Sequence, residues 1–209
     1  MEVNTQDLYA LGRLKGSDLT VVELSYSYIY DLGIQDLCKG SPNLKRLCLR
    51  SNNGGFQLEF ADATVQSIIT NCPKIETLSL DGWLGLTTQS LIYLAKLQFL
   101  REISLDDCDQ LTSVAVQALL RANQRLETLI LCEDSDLSSY TAPTYIDSAL
   151  LTSIGTNCTE LIKLHLKLPE TSDVTNATLT DMFRGCSLLE ELRFAEFRKP
   201  NTLLPTLGA

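Results

Sequence analysis

Seven times along the chain, apolar residues fall in the order L-x-x-L-x-L. The signatures are Leu19/Val22/Leu24, Leu44/Leu47/Leu49, Ile75/Leu78/Leu80, Leu100/Ile103/Leu105, Leu126/Leu129/Leu131, Leu161/Leu164/Leu166 and Leu189/Leu192/Phe194. Alternation of apolar and polar positions in each marks a short, half-buried strand. Between consecutive signatures an apolar triad recurs at i, i+3, i+4, the stripe of a one-sided helix. The triads are Ile34/Leu37/Cys38, Val65/Ile68/Ile69, Leu91/Leu94/Ala95, Val116/Leu119/Leu120, Leu151/Ile154/Gly155 and Leu179/Met182/Phe183. One strand and one helix cannot bury their own apolar faces, so each unit must stack on a copy of itself.

First residues of successive signatures are 25, 31, 25, 26, 35 and 28 apart, around the range of leucine-rich repeats. The expected fold is therefore an α/β leucine-rich-repeat solenoid, a horseshoe with parallel strands on the concave face and helices on the convex face. Residues 1–209 are read as a single domain of about seven repeats, with strands starting near residues 19, 44, 75, 100, 126, 161 and 189. Leu8 and Leu11, followed by Gly12 and Gly16, make residues 1–18 a partial N-terminal repeat. Pro200 and Pro205 follow Phe194 without a further triad. The chain is thus expected to belong to a longer protein or to cover its ends by association.

From each triad to the next strand the count is ten residues, except nine after Leu91. From strand end to triad it runs 10, 16, 11, 11, 20 and 13, so the length variation sits on one side of the repeat. Equivalent connections align in a solenoid, and the long segments starting at Arg50, Cys132 and Lys167 are expected to crowd one rim. Asp31, Asp62, Thr87, Thr112 and Asp147 stand where helix caps belong.

Charge narrows the function classes. With 26 acidic against 17 basic residues the net charge is −9, which disfavours a non-specific grip on nucleic acid and favours a protein partner. No apolar run reaches membrane length and no signal peptide opens the chain, so a soluble, cytoplasmic or nuclear protein with no membrane partner is expected. Seven cysteines include no C-x-x-C pair, and the chain has one histidine. A metal site is not expected, and Cys72, Cys108, Cys158 and Cys186 are read as reduced, buried packing residues. Asn53-Gly54-Gly55 lacks the Gly-Lys-Ser/Thr of a phosphate loop, and no cofactor is expected.

The phrase Leu-Arg-Glu-Ile-Ser-Leu-Asp-Asp-Cys108 and the repeat ends Asn71-Cys72-Pro73, Asn157-Cys158-Thr159 and Gly185-Cys186-Ser187 resemble the cysteine-containing leucine-rich repeats of F-box/LRR proteins. The segment Asp31-Leu-Gly-Ile-Gln-Asp-Leu-Cys-Lys-Gly40 is similar to that family's helix half. The resemblance implies the horseshoe fold and, as in many members, substrate selection for a ubiquitin ligase. Ligase components would then be partners through an F-box, which residues 1–14 do not supply. The alternative is a ligand-sensing or regulatory repeat protein unconnected to ubiquitin ligases.

In such strands the leucines face the core and the residues between them face the concave surface. Those positions carry charge in bands: Arg46 and Arg50, then Asp81, Glu102 and Asp106, then an apolar step at Ile130, then Lys163, His165 and Lys167. They form the candidate surface for a protein ligand, with Asp81 and Asp106 expected to face solvent. Tyr140 and Tyr145, on the long connection after Cys132, are candidate contacts on the rim. Trp83 shares its slot with Cys108 and is read as core. His165 has no nucleophile in a recognisable motif beside it, so no catalytic residue is assigned and an enzyme is not expected.

Overall fold

The computed structural model of the chain describes residues 4–25, 30–50, 61–108, 110–132, 144–169 and 172–196. In chain order these form α1 (Thr5–Lys15), β1 (Val21–Ser25), α2 (Asp31–Gly40), β2 (Arg46–Arg50), α3 (Ala61–Asn71), β3 (Thr77–Ser79), α4 (Thr88–Leu94) and β4 (Glu102–Ser104). They continue as α5 (Ser113–Ala122), β5 (Thr128–Ile130), α6 (Ser148–Asn157), β6 (Lys163–Leu168), α7 (Asn176–Gly185) and β7 (Glu191–Glu196). The strands pair in parallel, in chain order from β1 to β7, in one sheet. The fold is the α/β leucine-rich-repeat solenoid that the apolar pattern predicts.

Every strand starts two residues after the first residue of its signature, because that residue belongs to the turn that ends the preceding helix. Leu44, Ile75, Leu126, Leu161 and Leu189 each donate their amide to the carbonyl three residues earlier, at 3.2–3.3 Å. One carbonyl then ties each coil to the next by accepting two amides. Thr20 O takes Lys45 and Arg46, Lys45 O takes Glu76 and Thr77, and Glu76 O takes Arg101 and Glu102. Arg101, Glu127 and Ile162 repeat the arrangement, and all these bonds measure 2.7–3.0 Å.

The signature leucines and helix triads meet between the layers in one continuous core from Leu8 to Cys186. Leu192 and Phe194 of β7 stay 43% and 36% exposed, since no described element packs beyond them. Paired strands sit about 4.8 Å apart and packed helices about 8–10 Å, so the stack must bend with the sheet inside. Two helix pairs depart from ordinary side-chain packing. A Cβ on Gly40 would lie 2.1 Å from Gly12 O, and one on Gly185 would lie 1.9 Å from Gly155 O, so α1/α2 and α6/α7 touch backbone to backbone.

The helix N-termini are linked by polar side chains from coil to coil. Thr64 Oγ1 donates to Asp31 Oδ1 at 2.6 Å, and Thr87 Oγ1 donates to Asp62 at 2.9 Å while Ser90 Oγ reaches the same carboxylate. Ser113 Oγ donates to Asp147 Oδ1 at 2.7 Å, and Ser148 N to Asp173 Oδ1 at 2.7 Å. Thr87, Thr112 and Asp147 are N-caps as predicted. Asp31 and Asp62 instead lie just inside their helices, spending their oxygens on the next coil's hydroxyls.

Cys72, Cys108, Cys158 and Cys186 are free and buried, as the repeat phase predicts. The Cys72 thiol donates to Ser41 O at 3.3 Å and the Cys108 thiol to Leu80 O at 3.3 Å. Burial pushes the Cys158 thiol up to about 12 and Cys186 up to about 11, and Cys108 rises for the same reason. Thiolate, the reactive form, is thus scarce at neutral pH. In native protein at pH 8, half-buried Cys132 should react with iodoacetamide well before these four, which should label only on unfolding. Equal native rates, read by peptide mass spectrometry, would count against the packing described. No helix among the described residues is long and apolar enough to cross a membrane.

Candidate functional site: the open face of the sheet

One face of the sheet is covered by helices, and the alternating side chains between the signature leucines project from the other. Parallel register places them in rows. The first row joins Val21, Arg46, Thr77, Glu102, Thr128, Lys163 and Glu191 as successive Cα partners. The second joins Glu23, Cys48, Ser79, Ser104, Ile130, His165 and Arg193. Arg50 and Lys167 belong to a third row, which Asp81 and Asp106 extend just past the ends of β3 and β4.

The first row is the accessible one. Arg46 Nε lies 2.8 Å from Glu23 Oε1 and its Nη1 3.4 Å from Glu102 Oε2. Lys163 Nζ lies 3.3 Å from Glu191 Oε1, which also receives Arg193 Nε at 3.5 Å. The charges foreseen as separate bands therefore interleave and neutralise one another across strands. Solvent-exposed pairs of this kind contribute at most about 1 kcal/mol each to stability, so their main effect is on the pattern a partner meets.

The second row and much of the third are closed off, and here the sequence expectation needs correction. Asp81, expected to face solvent, is only 7% exposed. Its carboxylate accepts Ser79 Oγ at 2.7 Å, Ser104 Oγ at 2.5 Å and the Asp106 amide at 3.2 Å, with Arg50 Nε at 3.3 Å. Small serines leave a hollow beside the strand ends, and the carboxylate folds into it because three donors offset its lost hydration. Asp106 is half-buried, Ile130 is 8% exposed, and Lys167 is buried. Of the candidate residues, Arg46, Arg50, Glu102 and Lys163 present substantial surface.

His165 is fully buried, with Nε2 2.9 Å from Glu191 Oε1 and no hydrogen-bond partner for Nδ1 among the described residues. Burial holds its imidazole below the ordinary range, against the opposing pull of Glu191. The same contact, with help from Lys163, draws the Glu191 carboxyl down. A histidine oriented by a carboxylate is half of a base-and-nucleophile arrangement, but no hydroxyl or thiol of the described residues bonds its other nitrogen. No cluster of metal-ligating side chains occurs among the described residues.

Trp83 is 1% exposed in the core, as its slot predicts. Tyr145, expected on the rim, is 5% exposed and packs in the core just ahead of α6, so its ring is withheld from the surface. Tyr140 lies outside the described residues. Sequence reasoning passed over Thr77 and Thr128, which sit half-buried between the charged members of the first row. Alternation did place them on this face; their neutrality hid them.

No protein-family model matches the chain, and no curated protein matches it by sequence. Among solved structures it is similar to a chain of the yeast Rad7–Elc1 complex, at 20% identity and a TM-score of 0.61, over 93% of this chain and 42% of that one. It is also similar to the leucine-rich-repeat protein LegL7 of Legionella pneumophila, at 12% identity and a TM-score of 0.55, over 94% of this chain and 65% of that one. The chain thus spans less than two thirds of either, and the likeness is one of fold.

Proposed function

We propose that the chain is a protein–protein interaction module whose open sheet face seats a protein ligand. The carrying observation is the first row, in which Arg46, Thr77, Glu102, Thr128 and Lys163 are fixed in register on a rigid sheet. Such a row offers a partner alternating charge at spacings set by the strands, a pattern that favours specificity and encounter rate over raw affinity. An open surface of this kind suits an extended protein segment better than a small molecule, which needs an enclosing pocket. The finer reading, drawn from the F-box/LRR resemblance, is substrate recognition for a ubiquitin ligase. A solved neighbour found in complex, Rad7 with Elc1, is in keeping with a protein partner.

Capture from cell extract with mass spectrometry supplies the partner, and variants locate its seat. Thr77→Arg combined with Thr128→Arg should weaken affinity for the captured protein at least tenfold, while Gln66→Arg with Thr152→Arg on the helix side should leave it unchanged. Both pairs should melt like the parent. Unchanged affinity in the first pair together with loss in the second would move the binding surface to the helices. For the finer reading, ligase subunits should accompany the captured partner, and its ubiquitylation should fall in cells carrying the first pair.

A further inference from the structure

Away from the open face, the edge where helices return to strands carries a local irregularity. The repeat containing α4 is the one with nine residues rather than ten between its triad and its strand, and α4 is also the shortest α-helix described, seven residues against ten in α5. Two adjoining depressions, about 220 and about 230 Å³, lie between the return segment that follows α4 and the end of α5, and Gln98, Leu100 and Arg125 line both.

Their chemistry is unlike the rest of the edge. In the turn position filled by Asp18, Asn43, Lys74, Arg125 and Glu160 in other coils and by Leu188 in the last, this coil has the one aromatic ring, Phe99, 58% exposed against the first depression. Arg121, at the end of α5, lines the second. Acidic residues outnumber basic ones 26 to 17, and most described arginines sit beside a carboxylate. Arg121 instead bonds the Gln117 amide oxygen, Lys96 lies over the Tyr93 ring, and Arg125 has no side-chain hydrogen bond or ion pair among the described residues. The carboxylates at hand are already engaged, Glu76 with Lys45 and Glu127 with Arg101. The edge thus sets an aromatic ring beside two cations, Arg121 and Arg125, that pair with no carboxylate among the described residues, while Glu76, which lines the first depression, is held by Lys45.

We propose that this step at the α4–α5 edge is a second docking site, which takes an acidic segment of a partner protein with a large apolar side chain against Phe99 and flanking carboxylates on Arg121 and Arg125. The complementarity is specific in kind. Guanidinium groups pair carboxylates in bidentate fashion, and a ring beside them covers the pair from water. Charge alone would attract any anion, whereas Phe99 selects one that brings an apolar group.

The test is selection of a phage-displayed library of random ten-residue peptides on the whole chain, with parallel selection on Arg121→Glu/Arg125→Glu and on Phe99→Ala. All replaced side chains are exposed, and matched melting curves establish that the variants fold. Enriched peptides should carry Asp or Glu around a leucine or aromatic residue. As synthetic fluorescein-labelled peptides they should bind the double charge reversal at least tenfold more weakly and Phe99→Ala severalfold more weakly. Thr77→Arg/Thr128→Arg should bind them as the parent does, which separates this site from the open face. No enrichment over the charge-reversed chain, enrichment of basic or uncharged sequences, or equal binding to all variants would overturn the site.

Discussion

Gly40→Ala should destabilise the protein by about 2–3 kcal/mol, although helix propensity alone favours the change by about 1 kcal/mol. Packing decides the sign. The new Cβ would stand 2.1 Å from Gly12 O and 2.6 Å from Gly12 C, and ordinary contact begins at 3.4 Å. Both obstacles are backbone atoms, so no rotamer change relieves them. Helix α1 must move outward by more than 1 Å, and Leu8 is the fully buried apolar side chain that anchors it. The expected result is loss of amide protection in residues 5–15 by hydrogen exchange, with a lower urea midpoint. Gly185→Ala should act in the same way on α7, where the Cβ would meet Gly155 O at 1.9 Å. Equal or greater stability in both variants would show that the helices are not in backbone contact.

Asp81→Ala should cost about 3 kcal/mol, far more than an ordinary surface aspartate. The carboxylate accepts hydrogen bonds from Ser79, Ser104 and the Asp106 amide and faces Arg50. Removing it leaves two buried hydroxyls without their acceptor, and each buried donor so stranded costs about 1–3 kcal/mol. Asp81→Asn should recover part of the loss, since its oxygen can still accept from one serine. Asp106→Ala, which removes a half-buried carboxylate, should change stability by less than about 1 kcal/mol. Urea unfolding of the three variants checks the order. If Asp81→Ala matches Asp106→Ala, the network contributes nothing. The result also bears on binding studies, because charge reversal at Asp81 would confound lost contact with lost structure.

The fold was legible in the leucines because a coil's apolar requirements repeat with the coil. Leu47, Leu78, Ile103, Leu129 and Leu164 occupy one slot, and all are at most 1% exposed. The candidate surface was less legible, because alternation tells which face a side chain leaves from but not what lies beside it. Asp81 illustrates the gap: the residue two before it, Ser79, and that residue's cross-strand partner, Ser104, are serines, and serines make room for a carboxylate to turn inward. Tyr145 illustrates another, since a tyrosine near a helix start can finish in the core as readily as on a rim. The α4–α5 step did leave a trace, the nine-residue return after Leu91, but a missing residue does not by itself reveal the space it opens.

The polar links at the helix N-termini bear on how the stack finds its order. Leucines at equivalent slots are interchangeable, so a chain that skipped a coil while assembling could still satisfy its apolar faces. The side-chain pairs are not interchangeable: Asp31 requires the hydroxyl of Thr64, Asp62 those of Thr87 and Ser90, Asp147 that of Ser113, and Asp173 the amide of Ser148. A slipped stack would have to re-form these pairs with other coils, and wherever no hydroxyl or amide met the carboxylate it would be stranded without a donor, a penalty that the native order avoids. Excising or duplicating one coil by recombination would meet the same obstacle, so these pairs act as an address code that keeps near-identical coils in a single sequence.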